Sequence, residues 1–366
     1  MSVASRVLAF TAVVTLTWTA GAASAELRTN RGKSLVPLDD IVSGGPPPDG
    51  IPAIDRPAFI SPRTAAEWLK PHEPVLALEI DGDARAYPLQ ILMWHEIVND
   101  VVGGVAVAVT YCPLCNSALV FERVANGATL DFGTSGMLYK SDLVMYDRRT
   151  HSLWSQMDGR AIVGDLAGVR LTPRPANTTA FEDWRSAHPT GKVLSRETGH
   201  ERRYGLNPYH SYDEPLRASI LFSGRPDARR PPKERVVGIA IGNARRAYPW
   251  PLLEQRRVVH DTLGSERFVI FWAPGTLSAL DAAQIARSRA VGATAVYRAR
   301  LDDRALTFEA GPNGVRDRET GSRWNFFGTA TAGPLTGRRL APIQHVDAFW
   351  FAWAAFNPAT TIWETP

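Results

Sequence analysis

The sequence predicts a mainly β, α+β protein made as a tandem duplication of a β-rich unit, each copy ending in a short helix. Three observations carry this. From residue 75 onward, short apolar runs of strand length alternate with Gly and Asp turns. The chain resembles itself at an offset of 161 residues, the distance from Ala86-Tyr87-Pro88 to Ala247-Tyr248-Pro249. Helix signals are sparse. The clearest is Thr178-Thr179-Ala180-Phe181-Glu182, where Thr179 and Glu182 have capping-box spacing and His188-Pro189 stops the run.

In chain order, Arg6 precedes an apolar run from Val7 to Trp18, and Ala23-Ser24-Ala25 fits the small-x-small rule of signal peptidase. Residues 1–25 therefore read as a signal peptide, and the protein is expected to be exported, periplasmic or secreted. No later run approaches the ~20 apolar residues of a membrane span, so no transmembrane segment is expected after cleavage. Residues 26–74 read as an extended, Pro-rich lead-in around Gly45-Pro46-Pro47-Pro48, with a short helix at Thr64–Leu69.

Copy one spans 75–194, with strands expected at Val75–Ile80, Ala84–Tyr87, Val105–Tyr111, Ala118–Phe121, Thr129–Phe132 and Leu143–Tyr146. A connector at 195–235 opens with the aromatic, turn-rich Tyr204–Tyr212 segment. A degenerate copy two fills 236–366.

Composition narrows the function classes. The apolar fraction of 45%, the charged fraction of 21% and a net charge of +4 fit a globular protein with a substantial core. The cations are scattered, without a basic stripe interleaved with aromatics, so no nucleic-acid partner is expected. The sequence has no Gly-x-Ser-x-Gly elbow, P-loop or Gly-x-Gly-x-x-Gly. The partner is expected to be a small molecule or another exported protein. A binding module stays open, because abundant Trp serves platforms and cores alike.

The repeat separates scaffold from chemistry. Asp147, Thr150 and Trp154 recur as Asp317, Thr320 and Trp324, which favours a shared structural turn over a catalytic group. Cys112 and Cys115, by contrast, meet Ala273 and Thr276, and His95 and Glu96 meet Arg256 and Arg257. The segment Gly133–Met145 has no full counterpart. A site confined to copy one fits this pattern.

That site centres on Cys112-Pro113-Leu114-Cys115, the only cysteines in the chain. Gly103-Gly104 between two apolar runs is a hairpin signal pairing Val102 with Val105. Carried back along both strands, that register sets His95 opposite Cys112. Leu89–Val98 also has helical spacing, which would put His95 at a helix-to-strand junction.

Three chemistries remain open. Two thiolates and an imidazole suit zinc or copper, with Glu96, Met145 or Asp142 as fourth ligand. The same pair could run thiol–disulfide exchange, Cys112 attacking, Cys115 resolving and His95 activating. A structural pair is the third; so short a loop makes a disulfide a weak staple. Ser135 in Thr134-Ser135-Gly136 reads as a turn residue before it reads as a nucleophile.

The run Ala86-Tyr87-Pro88, Trp94-His95-Glu96-Ile97-Val98-Asn99-Asp100, Thr110-Tyr111-Cys112-Pro113-Leu114-Cys115-Asn116-Ser117, followed by Ser141–Arg148 and Ser152–Gln156, resembles a prokaryotic family catalogued as domain of unknown function 3179. The resemblance extends through copy two. Asn116 stands where glycine is expected. The resemblance implies no activity, cofactor or substrate.

Overall fold

Turn chemistry and alternation give the chain several antiparallel sheets with short helices between them. The computed structural model describes residues 26–311 and 314–364, so the expected signal peptide, residues 1–25, lies outside the described residues. The fold is mostly β, as the sequence predicts.

Strand β1 (Ile41–Ser43) belongs to the lead-in. It is followed by β2 (Pro74–Ile80), β3 (Asp83–Pro88), helix α1 (Leu89–His95), β4 (Ile97–Val102), β5 (Val105–Cys112) and β6 (Ser117–Glu122). After a small hairpin come β7 (Phe132–Tyr139), β8 (Asp142–Asp147), β9 (Leu153–Ser155) and β10 (Arg160–Val163). One sheet has the order β1-β7-β8-β9-β10, and β4-β5-β6 form a meander in a second.

The order strand-strand-helix-strand-strand of β2 to β5 recurs at Arg235–Ile241, Ala244–Pro249, Trp250–Arg256, Val258–Leu263 and Glu266–Ala273. Its polar contacts recur as well. Asp100 accepts from Arg85 and Tyr87, and Asp261 from Arg246 and Tyr248. Asp147 accepts from the Thr150 N–H and from Trp154 Nε1, at 2.6 and 3.0 Å. Asp317 does the same for Thr320 and Trp324, at 2.6 and 2.9 Å. These are satisfied buried turns, in keeping with the structural reading.

The Gly103-Gly104 hairpin has the expected register: Val102 pairs with Val105 and Ile97 with Thr110. The strand ends there, however. Leu89–His95 is helical, closed by Glu96 in the left-handed region at φ 57°. Pro88, which cannot extend the helix backward, and a largely buried face at Leu89, Ile91, Leu92 and Met93 favour the helix over the longer strand.

Two other expectations shift. The lead-in helix is a single turn at Pro62–Ala65, because Ser61 caps the Thr64 N–H and Pro62 fills the first helical position. At 178–189 the helix runs Phe181–Ala187, but Thr179 lies in a strand pairing with β2 and does not cap. The carbonyls of Glu73 and Pro71 take the Phe181 and Glu182 N–H groups instead. The expected strand at Thr129–Phe132 is interrupted, with Phe132 opening β7.

The largest hydrophobic cluster joins both halves. Val109, Leu119, Cys112 and Cys115 share it with Ala279, Leu280, Phe349 and Phe351. The Phe349 N–H donates to the Cys115 carbonyl at 2.9 Å.

Candidate functional site

Cys112 ends β5 and Cys115 lies in the four-residue loop before β6, with Cys112 paired to Ser117. Asn116 closes the loop at φ 52°, the left-handed conformation that explains why glycine is expected there; among other residues Asn adopts it most readily. Two hydrogen bonds from outside and burial set the loop. Phe349 holds the Cys115 carbonyl, the Tyr212 hydroxyl donates to the Leu114 carbonyl at 3.2 Å, and Leu114 and both cysteines are buried.

The β7–β8 hairpin meets this loop from the other side. Its turn residues, Lys140 at φ 54° and Ser141 at φ 66°, are both left-handed, the geometry of a type I′ turn that normally selects Asn and Gly. Partners offset the strain: Ser141 Oγ donates to the Ile220 carbonyl at 2.6 Å and Lys140 Nζ to the Ala355 carbonyl at 2.8 Å. The turn aims the Ser141 carbonyl at the thiols, 3.5 Å from Cys115 Sγ and 4.0 Å from Cys112 Sγ. It also delivers Asp142, fully buried, at the start of β8. Both Sγ atoms and one Asp142 carboxylate oxygen lie within 4.8 Å of one another. The cysteines are free thiols.

The electrostatics follow from burial. Asp142 Oδ2 accepts the Met157 N–H at 2.8 Å, but Oδ1 is buried with no hydrogen-bond partner among the described residues. Loss of solvent pushes the Asp142 carboxyl up to about 7. Glu96 enters from the left-handed end of α1. Burial, then repulsion from Asp142, pushes its carboxyl up to about 8, and it makes no side-chain hydrogen bond among the described residues. Burial also raises both thiols. Among the described residues no Lys, Arg or His pairs with any of the four, so the acidic groups gather there without a counter-ion.

His95 is elsewhere, which corrects the expectation that it converges on the cysteines. It is the last residue of α1 and its ring is turned toward the lead-in and connector. Nδ1 lies 2.7 Å from the Pro52 carbonyl, which can only accept, so Nδ1 carries the proton; Nε2, 2.7 Å from the Tyr204 hydroxyl, accepts. No lone pair is left for a metal. Burial, reinforced by His200 and Arg202 nearby, holds the imidazole down at about 4. Met145 is fully buried in the core, paired with Thr134 and Trp154 across β8. Ser135 is not in a turn but in β7, at the bulge between Thr134 and Met137, where its Oγ donates to the Val144 carbonyl at 2.5 Å and accepts the Met137 N–H, a structural role.

A cavity of about 70 Å³ adjoins Cys112 and Glu96. Pro46 and Ile51 of the lead-in line one side; Met137, Leu138 and Leu143 of the β7–β8 hairpin line another; and Tyr209 of the connector lines it as well. Tyr209 and the lead-in strap were not assigned to the site from sequence. The only signal was the aromatic, turn-rich composition of 204–212.

Fold and site together define a mainly β protein with a buried dithiol–carboxylate centre beside a small apolar cavity. A family model described as protein of unknown function DUF3179 matches residues 48–360, so the chain belongs to that family. No curated protein and no solved structure matches it. Among the described residues no helix is long and apolar enough to cross a membrane.

Proposed function

We propose that this protein binds one transition-metal ion, zinc or copper, through Cys112, Cys115 and Asp142, with Glu96 beside the remaining position. One observation carries the reading. Two thiols and two carboxyls are buried together without a cation, and one Asp142 oxygen has no partner among the described residues. Uncompensated acids are costly in a protein interior, and such a gathering is retained where a cation neutralises it. Two sulfurs and a carboxylate oxygen suit zinc; a softer environment, with the Met137 thioether on the cavity wall, suits copper.

Thiol–disulfide exchange has less support. An attacking cysteine needs exposure and a neighbour that stabilises thiolate. Here both sulfurs are buried, burial raises them, and His95 is committed to Pro52 and Tyr204. In an exported protein a bound metal would also keep the pair from oxidising. The deciding experiment measures metal and free thiol on protein purified anaerobically without added metal. About one zinc or copper per chain, lost in Cys112→Ser and Asp142→Asn but kept in His95→Ala, supports the proposal. Metal-free protein that takes up neither ion, or a Cys112–Cys115 disulfide that cycles with a mild reductant, overturns it.

A further inference from the structure

The cavity beside Cys112 is built differently from the rest of the interior. Its walls are apolar, from Ile51, Leu114, Leu138 and Leu143, yet the Glu96 carboxyl and the Tyr209 side chain also line it. Glu96 is 8% exposed and its carboxyl has no hydrogen-bond partner among the described residues. Few convergent polar groups in an otherwise apolar hollow are the usual composition of a small-molecule site. A closed structural metal site would not need such a hollow against one of its ligands.

The strap that roofs the cavity is fastened by backbone. The Asp49 N–H donates to the Thr134 carbonyl and the Gly44 N–H to the Gly136 carbonyl, each at 2.8 Å. Gly136, at φ +73°, passes so close beneath that a Cβ would come 2.0 Å from the Pro46 carbonyl oxygen. The strap and the β7–β8 hairpin thus wall the hollow on two sides, leaving about 70 Å³ of room beside Cys112 and Glu96.

We propose that the centre is an open one, whose fourth metal position faces this cavity and takes a small uncharged molecule of about four or five heavy atoms, with a lone-pair donor toward the metal and a polar group toward Glu96 and Tyr209. This deepens the metal reading above and rests on it. The size follows from a volume of about 70 Å³, roughly twice the share of one liquid water and half of a cavity that holds benzene. The preference for a neutral ligand follows from charge. Two thiolates and one carboxylate already exceed a divalent cation, and Glu96 adds a further acid, so an anion meets repulsion in a low-dielectric site.

The test uses the full chain loaded anaerobically with cobalt(II), whose visible bands report coordination, titrated at pH 8 with imidazole, azide and benzimidazole. Imidazole is expected to shift the bands saturably, while azide, an anion, and benzimidazole, too large, leave them unchanged. Leu138→Phe, or Ile51→Phe from the strap side should the first fail to fold, is expected to keep the cobalt bands and abolish the imidazole shift. Bands that are intact but unmoved by imidazole, moved equally by azide, or shifted as before in a folded cavity-filling variant overturn this inference alone. Failure to form a cobalt–thiolate spectrum overturns the metal reading and this inference with it.

Discussion

At the scale of single residues, two neighbours in sequence separate into different roles because a helix ends between them. His95 is the last helical residue and Glu96 turns left-handed, so their side chains leave in different directions. His95 is a neutral, doubly hydrogen-bonded histidine that ties α1 to Pro52 and Tyr204. Replacing it with Ala should cost about 1–3 kcal/mol, by leaving the Pro52 carbonyl without its donor and the Tyr204 hydroxyl with Thr198 alone, and should leave metal stoichiometry unchanged. Chemical denaturation beside metal analysis checks both halves of that statement.

The same histidine sets a pH dependence. Its pKa in the folded protein is about 4, against an ordinary 6.5, so below pH 6.5 the unfolded chain takes up a proton that the folded chain refuses. Stability from this group is therefore full above pH 6.5, falls as pH drops toward 4, and is then level, a loss on the order of 3 kcal/mol at most. Melting curves of wild type and His95→Gln should converge across this window; parallel curves would remove His95 as the cause.

At the scale of elements, some of the fold is written in local sequence pattern and some only in tertiary contact. The Gly103-Gly104 turn and the apolar alternation on either side specify β4 and β5 down to their register, because a one-residue slip would expose a buried face. Leu89–His95 was ambiguous, since short apolar runs fit both periods, and the buried packing of Leu89, Ile91 and Leu92 decided for helix. Cys112, Cys115 and Asp142 could be named from their absence in the second half. Their convergence could not, because it depends on the Lys140-Ser141 turn, whose side chains do not advertise a left-handed backbone. Nor could the strap, since nothing local in Gly44–Ile51 says which strand it lies on.

That strap supports a prediction of its own. Gly136→Ala places a Cβ at positive φ and against the Pro46 carbonyl, so the strap must lift. A loss of about 2–3 kcal/mol is expected, with faster release of bound metal to a chelator. Ala at the open Gly127, also at positive φ but with no atom within 4 Å, should cost less and leave metal release unchanged.

For the whole molecule, the telling feature is that the largest core cluster belongs to both halves, although each half also has smaller clusters of its own. Phe349, fully buried, lies in the same cluster as both cysteines, and its N–H holds the Cys115 carbonyl. The connector adds Tyr212 on the Leu114 carbonyl, with Lys233 Nζ donating to the Tyr212 carbonyl at 2.7 Å. The cysteine loop is thus positioned from outside its own half. Unfolding the second half would expose the apolar face under Val109 and Leu119 and free the loop that carries the site, so the two halves are expected to unfold together. Calorimetry should show one transition, with van't Hoff and calorimetric enthalpies in agreement. Phe349→Ala should lower stability by about 3–5 kcal/mol and shift that single transition rather than split it. It should also weaken metal binding, although Phe349 lies outside the proposed ligand set, because the buried ring that fixes the position of the Phe349 N–H on the Cys115 carbonyl is lost. Two resolved transitions, with metal retained through the first, would show instead that the first half holds its centre without help.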